Sequence, residues 1–271
     1  PEHTGCGVDR EVRMRKYDVR LNGKSLMDIS QAIQIVDVTE SEPKETVKSA
    51  SFGLADGTRL LGVKRESMAV RVDFMIRDQD MMRRTHSYDR ILQWARGCGY
   101  LSISDRPEQR LFVERAELPT MGSVKKWTSV LSATFTAYAK PFWESAFSTA
   151  ASVTTASTVG SALLFAPGNA ENCLMEAEIT AAGGTVNRLT ITTDDSKMSF
   201  TGLNLIKGET LRITYTDKGF LEMKTGEKSV MDKRTGESSD ELTLTPGKNE
   251  TVRFEADKAC TAVFRTRGRW L

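Results

Sequence analysis

The sequence predicts a mainly β protein: an α+β N-terminal unit with one helix packed on antiparallel sheets, then a C-terminal β-sandwich. Three observations lead there. Val70, Val72, Phe74 and Ile76 alternate with Arg71, Asp73 and Met75, the period-two pattern of a half-buried strand. From Asp78 the period becomes helical, and no helical period recurs after Phe142. Beyond Phe142, turn signals at mostly regular intervals separate short alternating runs, as in an antiparallel sandwich.

Taken in order, Val12 to Leu21 reads as a strand closed by Asn22-Gly23, the strongest short hairpin signal in the chain. Ile29 to Val38 is the next apolar run. Thr39 to Lys48 is polar, charged and broken by Pro43, which predicts a mobile loop. Asp56-Gly57 and Gly62 mark turns ahead of the strand Ala69 to Arg77. In the helix that follows, Met81, Thr85, Tyr88, Leu92 and Ala95 form one apolar stripe, leaving Arg83, Arg84, Arg90 and Arg96 in water. Asp78 and Asp80 suit its N-cap, and Gly97 and Gly99 a left-handed stop. A helix of about 17 residues spans roughly 25 Å and can lie across a sheet. Strands then return at Leu101 to Ser104, Arg110 to Glu117 and Thr128 to Tyr138, divided by turn signals at Asp105-Arg106-Pro107 and Pro119-Thr120-Met121-Gly122.

Past Pro141-Phe142-Trp143 the composition shifts. Ser145 to Ser161 is almost wholly Ser, Thr, Ala and Val, which fits a linker or an exposed edge strand; the β-branched Val153, Thr154, Thr155, Thr158 and Val159 favour the strand. Turns follow at Gly183-Gly184, Asp194-Asp195, Lys207-Gly208, Asp217-Lys218-Gly219, Gly226, Gly236 and Pro246-Gly247. Between them lie Leu211-Ile213-Tyr215, Leu242-Leu244, Val252-Phe254-Ala256 and Ala262-Phe264, each with polar residues interposed.

A chain of 271 residues with 39% hydrophobic residues allows two domains, expected at 1–143 and 144–271. No apolar run approaches the roughly 18 residues of a membrane helix, and the first residues lack a signal-peptide pattern, so cytoplasmic synthesis without membrane insertion is expected. Net charge is +2, with 23 Lys and Arg against 19 Asp and Glu in residues 1–140 and 15 against 17 in the rest. That interspersed balance argues against a nucleic-acid binder. Cys6, Cys98, Cys173 and Cys260 lack metal-ligand spacing and read as buried small hydrophobes. Only His3 and His86 are histidines, and no hydrolase, P-loop, zinc-protease or dinucleotide motif is present. Asp194-Asp195 and Asp240-Glu241 sit at turns rather than as a catalytic pair. Trp94 and Trp143 are expected in the core; Trp127 and Trp270, flanked by Lys and Arg, also suit an interface, with core or partial burial the default for all four. No enzyme, cofactor or metal ligand set is therefore expected, which leaves a structural or binding protein.

The order of elements resembles the distal tail protein (Dit) family of long-tailed, non-contractile bacteriophages. The residues that carry the likeness are Leu21-Asn22-Gly23, the strand Arg71 to Arg77 with its Arg-rich helix ending at Ile91-Leu92-Gln93-Trp94, and Gly99-Tyr100-Leu101. Thr134-Phe135-Thr136-Ala137-Tyr138 with Lys140-Pro141-Phe142 follows. Then come Pro167-Gly168-Asn169-Ala170-Glu171-Asn172, Leu244-Thr245-Pro246-Gly247-Lys248-Asn249 and the ending Phe264-Arg265-Thr266-Arg267-Gly268-Arg269-Trp270. Leu174-Met175-Glu176 departs from the relatives, many of which place a proline there.

The resemblance implies a virion protein that forms a ring, usually a hexamer, between tail tube and tail tip. It implies a ring-forming N-terminal belt domain, a galectin-like C-terminal domain that braces adhesion parts, tail-tube and hub proteins as partners, and DNA passing the lumen without specific binding. Assembly would occur in the host cytoplasm. A lectin-like module for host attachment is the alternative, because a sandwich is a suitable sugar-binding scaffold. Together with the mixed basic and apolar first strand, the resemblance makes Arg13, Arg15, Lys16 and Tyr17 candidates for one side of a head-to-tail ring interface. Glu42 and Lys44 in the charged loop are a second set of interface candidates.

Overall fold

A computed structural model describes residues 17–50, 59–120, 130–170 and 172–271. In chain order the first strands are β1 (Val19–Leu21), β2 (Lys24–Ser25), β3 (Ile33–Glu40), β4 (Lys44–Ala50) and β5 (Arg59–Ile76), followed by helix α1 (Met81–Ala95). Next are β6 (Gly99–Ile103), β7 (Gln109–Val113), β8 (Arg115–Glu117), β9 (Leu131–Ala137) and β10 (Trp143–Ser145). Continuing, the chain forms β11 (Thr149–Phe165), β12 (Cys173–Ala181), β13 (Val186–Thr192), β14 (Lys197–Leu205), β15 (Thr210–Tyr215), β16 (Leu221–Thr225) and β17 (Lys228–Ser229). It ends with β18 (Thr243–Leu244), β19 (Asn249–Thr266) and β20 (Arg269–Trp270).

The fold is mainly β, with three antiparallel sheets among the described residues. One has the order β3-β5-β9-β8, with β4 also on β5; a second runs β2-β1-β6-β7-β10-β20; the third runs β14-β13-β19-β12-β15-β16-β17, with β11 on β19 and β18 on β12. The first two sheets share a core that contains Val70, Val72, Phe74, Ile76, Phe135 and Trp143, all essentially inaccessible to water. The alternation at 70–76 thus faces inward as expected, and each such side chain contributes about 1.5–3 kcal/mol of burial. A separate cluster from Leu164 to Phe264 forms the core of the third sheet.

Asn22 and Gly23 form the expected two-residue hairpin, with φ of 51° and 78°, between Leu21 and its partner Lys24. The Asn22 amide also donates to Cys98 O at 2.6 Å and its oxygen accepts from Tyr100 N at 3.0 Å, so this turn secures the chain where it leaves the helix. A Cβ at Gly99, where φ is +117°, would meet that amide oxygen at 2.3 Å, which restricts the position to glycine. The helix stop falls at Cys98 (φ 42°) and Gly99 rather than at Gly97.

Four other expectations are corrected. Thr39 to Lys48 is no loop: Glu40 ends β3, and Lys44–Ala50 pairs with β5. Glu40 accepts from Trp143 Nε1 and from Arg106 Nε, each at 2.9 Å, tying the first two sheets together. Gly62 lies inside β5 opposite Lys48, because a register shift beside it absorbs the irregularity. Arg110 to Glu117 splits at Glu114 into β7 and β8 in different sheets; Glu114 accepts from the backbone N–H groups of Tyr138 and Ala139. The runs at 252–256 and 262–264 are one strand, β19, which pairs with β13 up to Ala256 and with β12 from Cys260. Its even-numbered side chains face the core on both sides of the exposed Lys258, so a single sheet folds over itself into two layers.

Helix α1 starts at Asp80, whose carboxylate accepts from Met82 N at 2.7 Å. Its buried face is rotated from the predicted stripe: Arg84, Ser87, Tyr88, Ile91 and Ala95 are buried, Met81 is exposed and Leu92 half-buried. Arg84 enters the interior because its guanidinium donates to the carbonyls of Asp78 and Gln79 at 2.6 and 3.0 Å. Trp94 packs edge-on against Phe135 with centroids 5.7 Å apart. Ile91→Asp, which buries a carboxylate with no apolar substitute, is expected to cost several kcal/mol and Leu92→Asp distinctly less. Urea midpoints of the two variants measure that order.

Candidate functional site

Two surfaces and one seam stand out. The first is a projecting ribbon. β3 pairs with residues 70–76 of β5, β9 with 68–74 and β4 with 59–67, so the distal half of β5 has only β4 beside it among the described strands. That two-stranded piece extends about 30 Å at roughly 3.3 Å per residue. Every β4 side chain from Lys44 to Ser49 is exposed. Cross-strand pairs hold it: Arg65–Glu45 at 3.1 Å, Lys44–Glu66 at 4.0 Å and Thr46 to Glu66 at 2.6 Å. Two strands alone are marginally stable in water, and their free edges offer backbone donors and acceptors to another chain.

The second surface is β11, an edge strand whose partner throughout is β19. Residues 145–170 contain no Asp, Glu, Lys or Arg in a chain that is 27% charged. Leu163 and Phe165 on β11, and Phe147 just before it, are exposed. Edge strands ordinarily carry charge or proline against unwanted pairing, and this one carries neither.

The seam lies where the N-terminal sheets meet the folded third sheet. β10 pairs with β7 on one side and with β20 on the other, so the penultimate residues of the chain return to the N-terminal unit, where Trp270 packs against its core. Pro167-Gly168-Asn169-Ala170 clasps this return: the N–H groups of Asn169 and Ala170 donate to Arg269 O at 2.9 and 3.2 Å, and Arg269 N donates to Pro167 O at 3.2 Å. Gly168 has φ +126°, and a Cβ there would stand 2.0 Å from Arg269 O. Gly247 N donates to Ala166 O at 2.7 Å. The Pro-Gly turns at 167 and 246 and the chain ending, distant in sequence, therefore meet in one place.

Within the seam, Glu144 lies 3.4 Å from Lys140 Nζ and 3.9 Å from Arg269 Nη2, with side-chain exposures of 6%, 8% and 11% respectively. Burial lowers the Arg269 pKa, opposed by Glu144. Arg110 stacks over Tyr100 at 3.7 Å, and the Tyr100 hydroxyl donates to Asp217 on the β15–β16 turn. Burial first, then that hydrogen bond, raises the Tyr100 pKa; burial also raises that of Tyr215, whose hydroxyl accepts from Leu242 N at 2.9 Å.

Of the sequence-derived candidates, Arg13, Arg15 and Lys16 lie outside the described residues, as does Trp127. Tyr17 is half-buried against the N-terminal core. Glu42 is exposed at the bend between β3 and β4, and Lys44 opens the ribbon. Glu66, the partner of Lys44, was not foreseen, since reading residues 39–48 as a loop hid the pairing. Cys173 and Cys260 are buried and Cys98 is half-buried, and burial pushes the Cys260 thiol up to about 11. No group of three or more His, Cys, Asp or Glu side chains among the described residues is placed to hold a metal ion.

Both tyrosines of the seam hold their protons beyond the ordinary pKa of about 10. Above that pH the unfolded chain releases protons that the folded chain retains, so stability falls as pH rises. Tyr100→Phe and Tyr215→Phe are expected to flatten the alkaline limb of a thermal-melting profile between about pH 9 and 11, with little change at pH 7 from Tyr100→Phe apart from its lost hydrogen bond.

No protein-family model matches the chain, and no curated protein matches it. Solved structures do. The Dit protein (gp 19.1) of phage SPP1, described as a paradigm of hub adsorption apparatus in Gram-positive infecting phages, aligns over 93% of this chain and 98% of its own, with a TM-score of 0.62 and 15% identity. Chains of the phage P2 baseplate in its activated conformation with Ca and with Sr cover 93% of this chain and 97% of theirs, at a TM-score of 0.45 and 8% identity, too loose a likeness to argue from. Across both cores and the seam between them, the chain is Dit-like in fold.

Proposed function

We propose that the chain is a structural virion protein that closes into a head-to-tail ring, a hexamer, at the distal end of a siphophage tail, joining the tail tube to the tail-tip hub. The Dit-like fold supports a tail or baseplate role, and the observation that carries the ring is the ribbon of β4 and distal β5. A two-stranded arm with open edges gains stability when a neighbour pairs with it, and a heterologous contact repeated with constant rotation closes into a ring. Lys44 and Glu42 at its base belong to that contact. The lumen admits DNA without holding it: phosphate contacts would retain the DNA, and a net charge of +2 over the chain is compatible with few of them. The uncharged edge of β11 faces adhesion components. Assembly takes place in the host cytoplasm.

The test is cryo-electron microscopy of whole particles, with the chain expected in a single ring between tube and tip. Replacing residues 44–66 by a short turn is expected to leave the melting temperature within a few degrees and to abolish the ring. Placement of the chain in the capsid or tube repeat would overturn the proposal. Saturable binding to a defined sugar on a glycan array would favour the lectin reading instead.

We also propose that residues 1–143 and 144–271 are separate domains, on the strength of their two distinct buried clusters. Residues 144–271 expressed alone are expected to melt cooperatively as a β protein. A fragment without a cooperative melt would count against the division.

A further inference from the structure

The seam encloses a pocket of about 140 Å³ whose wall comes from both units. Tyr100 and Arg110 reach it from the N-terminal sheet, Glu176 and Tyr215 from the folded third sheet, and Arg267 and Arg269 from the returning end of the chain. Lys140, Glu144, Leu174 and Asp217 complete it. Four cationic side chains thus face three carboxylates, and the carboxylates are engaged unevenly. Glu144 is shared by Lys140 and Arg269. Asp217 accepts from Tyr100. Arg267 spends its Nη1 on the carbonyls of Ser145 and Ala146, at 3.3 and 2.8 Å, so its charge meets no carboxylate there. Arg110 Nε is buried and has no hydrogen-bond partner, while the rest of its guanidinium lies over the Tyr100 ring.

A buried guanidinium donor without an acceptor costs free energy comparable to a lost charged hydrogen bond, and a planar fork of N–H donors is matched best by an oxyanion. The space fits such a group: one water's share of liquid volume is about 30 Å³, so 140 Å³ holds several heavy atoms. We infer that this pocket binds one small tetrahedral oxyanion, of the phosphate or sulfate class, between the two units. The anion accepts from Arg110 and neutralises the excess cation of the seam. It is a structural ligand: it couples Arg110 on β7 to Arg267 and Arg269 at the end of the chain, and so stiffens the junction.

Isothermal titration of the full chain with inorganic phosphate, at ionic strength held constant with chloride, tests this. The expected result is saturable heat with one site per chain, reduced at least tenfold in affinity by Arg110→Gln, with sulfate competing and acetate not. Acetate competing as well as sulfate would overturn the tetrahedral class. Arg267→Gln is the second variant, used in the same way where Arg110→Gln does not fold. An absence of saturable heat in the parent, or heat unchanged in the folded variant, would overturn the site, because salting effects on stability do not depend on these side chains.

Discussion

The structure depends most on the burial of Glu144 between Lys140 and Arg269. Three charges withdrawn from water gain little over an apolar cluster of the same volume, but removal of any one leaves the others uncompensated at a cost of about 3–5 kcal/mol. The group therefore dictates an arrangement more than it strengthens one. Lys140 and Glu144 flank the exit from the N-terminal sheets, and Arg269 comes from the last strand, so the ion cluster forms only when the chain has traversed the whole third sheet and come back. Trp270 then fills part of the N-terminal core. The pairing of Trp143 with Trp270 and of Glu144 with Arg269 makes completion of the N-terminal sheet answerable to residues at the far end, a non-local topology that slows its assembly.

Legibility of the fold in the sequence followed locality. The hairpin at Asn22-Gly23, the alternation at Val70 to Ile76, the helix after Asp80 and the turns of the third sheet are set by neighbours in sequence, and all were readable. What escaped was settled by partners far along the chain. Arg84 reads as a solvent-facing residue of an amphipathic helix until two carbonyls from the preceding turn are placed within its reach. Pro43 and the charges around it read as a loop, because nothing local announces that β5 lies alongside; a ribbon with both faces wet lacks the in-out alternation that marks a strand. The seam was least visible. Lys140 and Glu144 are four residues apart, but without a helix that spacing has no meaning, and nothing local to Arg269 announces that it returns to them. Even so, the residues that carried the family likeness, the Pro-Gly turns at 167 and 246 and the ending at 268–270, are those the structure brings together.

The ribbon and β11 solve opposite problems with opposite chemistry. Lys44, Glu45, Lys64, Arg65 and Glu66 give the ribbon alternating charge, which specifies register with a partner and penalises a slipped one by setting like charges opposite. β11 offers hydroxyls, methyls and backbone, with no charge to desolvate and little to discriminate one uncharged strand from another. A contact made by the first is selective and salt-sensitive; one made by the second is permissive and insensitive to ionic strength.

The two backbone crossings between the units have a mechanical consequence. The chain enters the third sheet after β10 and leaves it before β20, and these strands are hydrogen-bonded neighbours about 4.8 Å apart, with Thr149 opposite Thr266 just beyond them. A single tether lets a body swivel freely, whereas paired tethers act as a door hinge, allowing swing about one axis and resisting torsion about the other. A pull applied to the third sheet is divided between two covalent strands that would have to peel together, so the paired tethers resist its rotation against the N-terminal sheets.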